Sequence, residues 1–154
     1  MKAIEIQALE KHYGQVKALD GLDLAVEEGS VFGFLGPNGA GKTTTLRILT
    51  GLAEASGGQA SIAGVPVSDH QAVSRLIGYL PEEPAFYRWM TPLELLDHVG
   101  RTFGQAADER QRQARQLLEL VGLTEVSKRR IGGFSRGMRQ RLGLAQALMN
   151  DPQV

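Results

Sequence analysis

Gly36, Gly41, Lys42 and Thr43 stand in the spacing G-x-x-x-x-G-K-[ST] within "GPNGAGKTTT", residues 36–45. These residue types can hold a chain of phosphates. Glycines let the backbone curl with no side chain in the way, so successive N–H groups converge on one anion. A helix that follows offers unpaired N–H groups and the positive end of its dipole to the same anion. Lys42 can reach the outer phosphates as a point charge. Thr43 supplies a hydroxyl small enough to ligate Mg²⁺, and Thr44 can donate to a phosphate oxygen. Gly36, Pro37, Asn38, Gly39, Ala40, Gly41, Lys42, Thr43 and Thr44 are therefore the candidate polyphosphate site. Kinases of small molecules, GTPases and ATPases all share such a loop, so it does not choose among them.

A second stretch with chemical potential is "FSRGMRQRLGLAQALMNDP", residues 134–152. Ser135 sits where a helix N-cap belongs, and glycines at 132, 133 and 137 surround it. Taken alone it is a capped helix with a flexible lead-in.

The elements that must position these residues follow from periodicity. Ile4 and Ile6 alternate with polar residues, as do Leu22, Leu24 and Val26, which reads as two half-buried strands. "EEG" at 27–29 is a turn. "VFGFL", 31–35, is apolar on both sides, the pattern of a strand buried between layers. A helix is expected from the glycine loop through Leu46, Ile48 and Leu49 to a cap at Gly51. Residues 56–67 read as turn, strand and turn, and "IGYLP", 77–81, as a further short buried strand.

Helical signals then take over. Thr91, Pro92 and Glu94 form a capping-box start, with Leu95, Leu96 and Val99 on one face. A second helix is expected from Asp108 with Ala114, Leu117, Leu118 and Val121 as its stripe; its charged "ERQRQARQ" is a solvated face. A last helix from Ser135 carries Leu142, Leu144, Ala145 and Leu148. "PAFYRWMT", 84–91, gathers Phe86, Tyr87, Trp89 and Met90. It reads equally as a small satellite core or as a partner-binding surface. "PQV" at the end reads as a turn and the first residue of a strand, so the chain is expected to be part of a longer protein.

Composition narrows the field. Lys plus Arg and Asp plus Glu are 17 each, so no global charge draws the chain to nucleic acid or anionic lipid. There is no cysteine, which removes disulfides and thiolate metal sites and fits a reducing compartment. No apolar run approaches the length of a membrane span.

Together, "GPNGAGKTTT" and Phe134-Ser135-Arg136-Gly137-Met138 followed by "RQRLGLAQAL" resemble the nucleotide-binding subunit of ATP-binding cassette (ABC) transporters. The family's signature has the form L-S-G-G-Q. Here the serine and second glycine are kept, while Arg136 and Met138 depart from it. The resemblance covers essentially the whole chain. It implies an α/β fold: a P-loop NTPase core, an N-terminal antiparallel β subdomain and a helical subdomain carrying the signature motif, truncated relative to the family. On that scheme the β subdomain covers about 1–30 and 58–67, the P-loop core 31–57 and 73–83, and the helical subdomain with signature helix 84–154, together one incomplete domain.

The resemblance also implies roles. Tyr13 stands where an aromatic residue stacks on adenine, although its residue type alone equally suits a strand-end ring packing the core. Val16 would cover the base edge. Ser135 and Gly137 would meet the nucleotide held by a second subunit. Glu82 stands where the family has a glutamine that senses the γ-phosphate and the metal. A carboxylate there can also ligate Mg²⁺, at the cost of negative charge near the phosphates.

The implied cofactors are ATP and Mg²⁺. The implied partners are transmembrane permease subunits and a second nucleotide-binding subunit, in a homodimer or pseudo-dimer that sandwiches nucleotide. No nucleic acid and no membrane span of its own are implied, and the place is the cytoplasmic face of the cell membrane. Beyond "NDPQV" the family continues with a strand ending in Asp and a catalytic Glu, then a histidine switch. His12, His70 and His98 all precede Ser135 and cannot be that switch. The 154 residues are thus expected to bind ATP without hydrolysing it productively. The alternative is a soluble, non-transport cassette ATPase of DNA repair or translation. With 92 residues between Lys42 and Ser135 and no sustained heptads, the long coiled-coil insertion of the DNA-repair relatives is absent.

Overall fold

The computed structural model describes residues 1–154, which fall into two units. The first comprises Met1–Ile77 with Gln153–Val154, and the second Gly78–Pro152.

In the first unit, β1 (Lys2–Tyr13) and β2 (Val16–Glu27) form a long antiparallel hairpin. β3 (Gly57–Ile62) pairs antiparallel on the other side of β1, and β4 (Val65–Pro66) pairs with β3, giving the order β2-β1-β3-β4. α1 (Lys42–Leu49) and the short α2 (His70–Ser74) accompany the sheet. The core joins Ile6, Leu9 and Leu19 of the hairpin with Ile48 and Leu49 of α1, Ala60 and Ile62 of β3, and Val73 of α2. A strict two-residue period would not bury both Ile6 and Leu9. A bulge reconciles them: Ala8 adopts φ 45°, and its N–H donates to Asp23 Oδ1 at 2.8 Å. Opposite the bulge, Gly58 (φ 72°) lets the strands close, since a Cβ there would lie 2.1 Å from the Ala8 carbonyl oxygen. α1 ends as expected, with Gly51 at φ 72° and its N–H on the Ile48 carbonyl.

Three expectations fail here. Residues 31–35 are not a buried strand: no strand pairs with them, and Val31 and Leu35 are 104% and 90% exposed. Residues 77–81 form no strand either, and neither do 151–154, although the amides of Gln153 and Val154 both donate to the Leu76 carbonyl. The reason is common to all three. A strand exists through its ladder, and an apolar run without a paired neighbour is extended chain whatever its residues favour.

The second unit packs α3 (Pro92–Thr102), α4 (Ala107–Leu120) and α5 (Arg136–Ala147). Its core contains Leu95, Leu96, Ala114, Leu117, Leu118, Val121, Leu123, Ile131, Phe134, Leu142, Ala145 and Met149. Thr91 caps α3 through the full box. Its hydroxyl accepts from the Glu94 N–H at 3.3 Å, and the Glu94 carboxylate accepts from the Thr91 N–H at 2.8 Å. These bonds from Thr91 hold the Glu94 carboxyl below its ordinary range. Ser135 caps α5 by accepting from the Met138 N–H at 3.2 Å. Leu144, expected on the apolar stripe of α5, is exposed; Met149, just past the helix, is fully buried instead.

The 84–91 segment divides between the two readings open to it. Phe86 and Met90 pack on the helical core, while Tyr87 and Trp89 stay exposed with their rings 5.7 Å apart. Its backbone is pinned where Ile131 and Gly132 donate to the carbonyls of Met90 and Arg88.

Asp97 links two helices of this unit. Arg110 of α4 donates to it at 2.8 Å from a largely buried position, and Arg101 of α3 does so at 2.8 Å. The hydrogen bond from Arg110, then that from Arg101, holds the Asp97 carboxyl below its ordinary range against the opposing effect of burial. A depressed folded value means that the stabilisation is present above the unfolded aspartate value and is lost as the pH falls through the folded one. Asp97→Asn should therefore lower stability by about 1–2 kcal/mol at neutral pH. The gap from the parent chain should close as the pH drops below about 4. Urea denaturation at pH 7 and pH 3 checks both parts.

Candidate functional site

In the first unit the glycine loop of residues 36–41 is open to solvent and runs directly into α1. Gly39 and Gly41 take φ 85° and 87°, backbone conformations that only glycine adopts without strain. No side chain caps α1, and the N–H groups of Gly39, Gly41, Lys42, Thr43 and Thr44 find no acceptor within the chain. The Lys42 ammonium folds over the loop and donates to the Gly36 and Pro37 carbonyls at 2.6 and 2.7 Å. Thr45, one residue beyond the expected set, is buried. Its hydroxyl donates to the Gly41 carbonyl at 3.0 Å, which ties the loop to the helix.

The loop is anchored by the hairpin. A Cβ on Gly41 would lie 2.5 Å from Leu19 Cδ2 and 2.7 Å from the Ala18 carbonyl oxygen, both on β2. That approach sets the loop against the end of the hairpin that carries Tyr13 and Val16. These two residues are cross-strand partners closing the two-residue turn Gly14-Gln15, in which Gly14 takes φ 60°. Both are exposed, Tyr13 by 49%. Tyr13 is thus not packed in the core, which was one of the two readings of its residue type.

In the second unit, Glu82 is exposed, and its carbonyl accepts a hydrogen bond from the Gln140 side chain of α5. Glu82, Arg136, Arg139 and Gln140 line a shallow cavity of about 260 Å³. Arg139 donates to the Phe134 carbonyl at 2.6 Å and so braces the turn before the cap. Gly137 has open space where a side chain would be, and the first turn of α5 at Ser135 and Arg136 is exposed.

Among families of known proteins, the one described as ABC transporter matches residues 19–154. The chain belongs to the ABC transporter family. An uncharacterized ABC transporter ATP-binding protein of Synechocystis sp., sll0415, is 47% identical over 142 residues, covering 91% of this chain and 40% of its own length. The daunorubicin resistance ATP-binding protein DrrA2 of Streptomyces coeruleorubidus is 42% identical over 153 residues, covering 99% of this chain and 48% of its own. The chain thus spans about half the length of the curated relatives it matches. A solved structure titled as the ATP binding subunit of an ABC transporter superimposes with a TM-score of 0.87 at 29% identity, over 97% of this chain and 63% of that one. The mixed α/β fold, with an antiparallel N-terminal sheet and a helical unit carrying the signature segment, is the ABC ATPase fold.

Of the residues expected at the site, Tyr13, Val16 and 36–44 lie in the first unit, and Glu82, Ser135 and Gly137 lie in the second. Sequence reasoning did not anticipate Leu19, Thr45 or Gln140 as supports. Leu19 and Gln140 act across 22 and 58 residues of chain, where local pattern carries no signal.

The two loop glycines should differ in their tolerance of alanine. Gly41→Ala meets both the positive φ and the β2 backbone, whereas Gly39→Ala meets only its φ, with open space around the new methyl. Gly39→Ala should cost about 1 kcal/mol, and Gly41→Ala substantially more, about 3 kcal/mol or above. Thermal unfolding of the two variants gives the comparison.

Proposed function

We propose that the protein is the ATP-binding subunit of an ABC transporter, coupling ATP binding and hydrolysis to movement of a substrate by membrane-embedded permease partners. The observation that carries the proposal is the loop of residues 36–44. The amides of Gly39, Gly41, Lys42, Thr43 and Thr44 lack acceptors, the loop's one ammonium is held by its own carbonyls, and its open side faces solvent. Unpaired N–H groups at a helix start attract an anion, and a polyphosphate supplies several acceptors at that spacing.

The donor set fits Mg-ATP. Thr43 is exposed, and its hydroxyl has no partner within the chain. No group of three or more His, Asp or Glu gathers into a metal cage, so Mg²⁺ would rely on Thr43 together with phosphate oxygens. When bound, Mg²⁺ offsets charge on the β- and γ-phosphates. Tyr13 offers an exposed ring for the base, and Val16 beside it offers an apolar edge. Glu82, as a second metal ligand or γ-phosphate sensor, and Ser135 with Gly137, as the cover over a second subunit's nucleotide, complete the assignment. The chain spans about half the length of its curated relatives, and these 154 residues alone are expected to hold ATP without turning it over productively. The subdomain boundaries given above belong to the same proposal.

The names of the relatives support the reading of the partners. Besides DrrA2, a protein named for bacitracin transport (40% identical) and one named for Nod factor export (40% identical) match nearly the whole chain. These names support an export role, and the cytoplasmic face of the membrane is the place proposed for it. No helix is long and apolar enough to cross a membrane. Exposed Tyr87 and Trp89 are the proposed permease contact. ATP would join two such subunits with each nucleotide between one loop and the other's Ser135 segment.

Calorimetry with Mg-ATP tests the site. Lys42→Ala should weaken binding more than tenfold, given the worth of a charge-assisted bond. An unchanged affinity would remove the assignment. For the coupling surface, Trp89→Ala in the complete transporter should reduce co-purification of the permease several-fold while ATP affinity holds. Intact assembly would count against it.

A further inference from the structure

Tyr13 does not stand alone at the end of the hairpin. The Lys11 ammonium lies 5.0 Å from the centroid of its ring. No carboxylate claims that ammonium. The neighbouring Glu10 carboxylate is paired instead with His12 Nε2 at 3.2 Å. Lys2 and Lys17, the other lysines of the hairpin, each hold a carboxylate, at 2.6 and 3.0 Å. The backbone between Lys11 and Tyr13 is fixed, because the His12 N–H donates to Ser56 Oγ at 3.0 Å. The Gly14-Gln15 turn fixes it on the other side. The ring is therefore the partner that the strand offers this cation. An aromatic face attracts an ammonium through its quadrupole. A half-exposed ring with one face under a cation has its other face left to present.

We infer that Lys11 is a positioning residue for the nucleobase: its ammonium backs one face of Tyr13 and holds the ring so that the opposite face receives adenine. The inference rests on the reading of Tyr13 as the base-stacking residue. Lys11 touches neither base nor phosphate in this arrangement and acts only through the ring.

The test is calorimetry on the 154-residue chain with two probes, Mg-ATP and inorganic triphosphate with Mg²⁺. Lys11→Met keeps the aliphatic stem and loses the charge, and it should weaken ATP about two- to fivefold, the scale of an exposed cation–π contact. Lys11→Arg should retain parental affinity, because a guanidinium sits on a ring equally well. Triphosphate has no base, so neither substitution should change its affinity at physiological salt. In a Tyr13→Leu background, Lys11→Met should have no further effect. Equal losses for ATP and triphosphate would overturn the inference, since Lys11 would then act as a general charge. A gain in ATP affinity for Lys11→Met would also overturn it, because the ammonium would then compete with the base. If Tyr13→Leu weakens ATP but Lys11→Met does not, base stacking stands and the role of Lys11 falls. If Tyr13→Leu leaves ATP affinity unchanged, the stacking reading fails and the inference with it.

Discussion

The approach of β2 to Gly41 is the constraint on which the candidate site depends. The Ala18 carbonyl and the Leu19 side chain occupy the space that any side chain at 41 would need. That contact places the loop against the hairpin that ends in Tyr13 and Val16, and five of the loop's amides, those of Gly39, Gly41, Lys42, Thr43 and Thr44, have no acceptor within the chain. Thr45 adds a buried bond back to the Gly41 carbonyl, so the turn into α1 is held from both sides. An anion site made of main-chain groups has no side chains of its own to lock it. Its rigidity comes from neighbours such as these, and pre-set donors lose less on binding than donors that must first be ordered.

Lys42 illustrates the same economy of charge. Its ammonium is satisfied by two loop carbonyls. On the proposed reading, an arriving phosphate would exchange those carbonyl contacts for contacts between opposite charges. The second unit is held differently. Side-chain caps at Thr91 and Ser135 set the starts of α3 and α5, Asp97 links Arg101 and Arg110, and an apolar core rich in leucine fills the space between. Its exposed features, Glu82, the first turn of α5 and the Tyr87–Trp89 pair, are carried on that frame rather than buried in it.

Arg136 and Glu82, two positions where the resemblance read from the sequence departs from the commoner pattern, line the same shallow cavity. The Arg136 guanidinium and the Glu82 carboxylate bring opposite charges to one surface. The Glu82 backbone is tied to α5 through Gln140, so the two positions share a structural support.

Local signals were legible from the residues alone. The glycine loop, the capping box at Thr91-Pro92-Glu94, the Ser135 cap and the Gly51 stop all emerge as read, because each is settled by bonds spanning only a few residues. The family is legible as well, since its two motifs are short and specific in combination. What residue pattern could not decide was anything requiring a distant partner. The bulge at Ala8 reset which β1 residues face the core, the 31–35 run found no ladder, and 84–91 split its aromatics between core and solvent. Apolar character expresses a tendency to leave water, but whether a segment succeeds depends on a neighbour supplied from elsewhere in the chain, and only the folded arrangement states which neighbours exist.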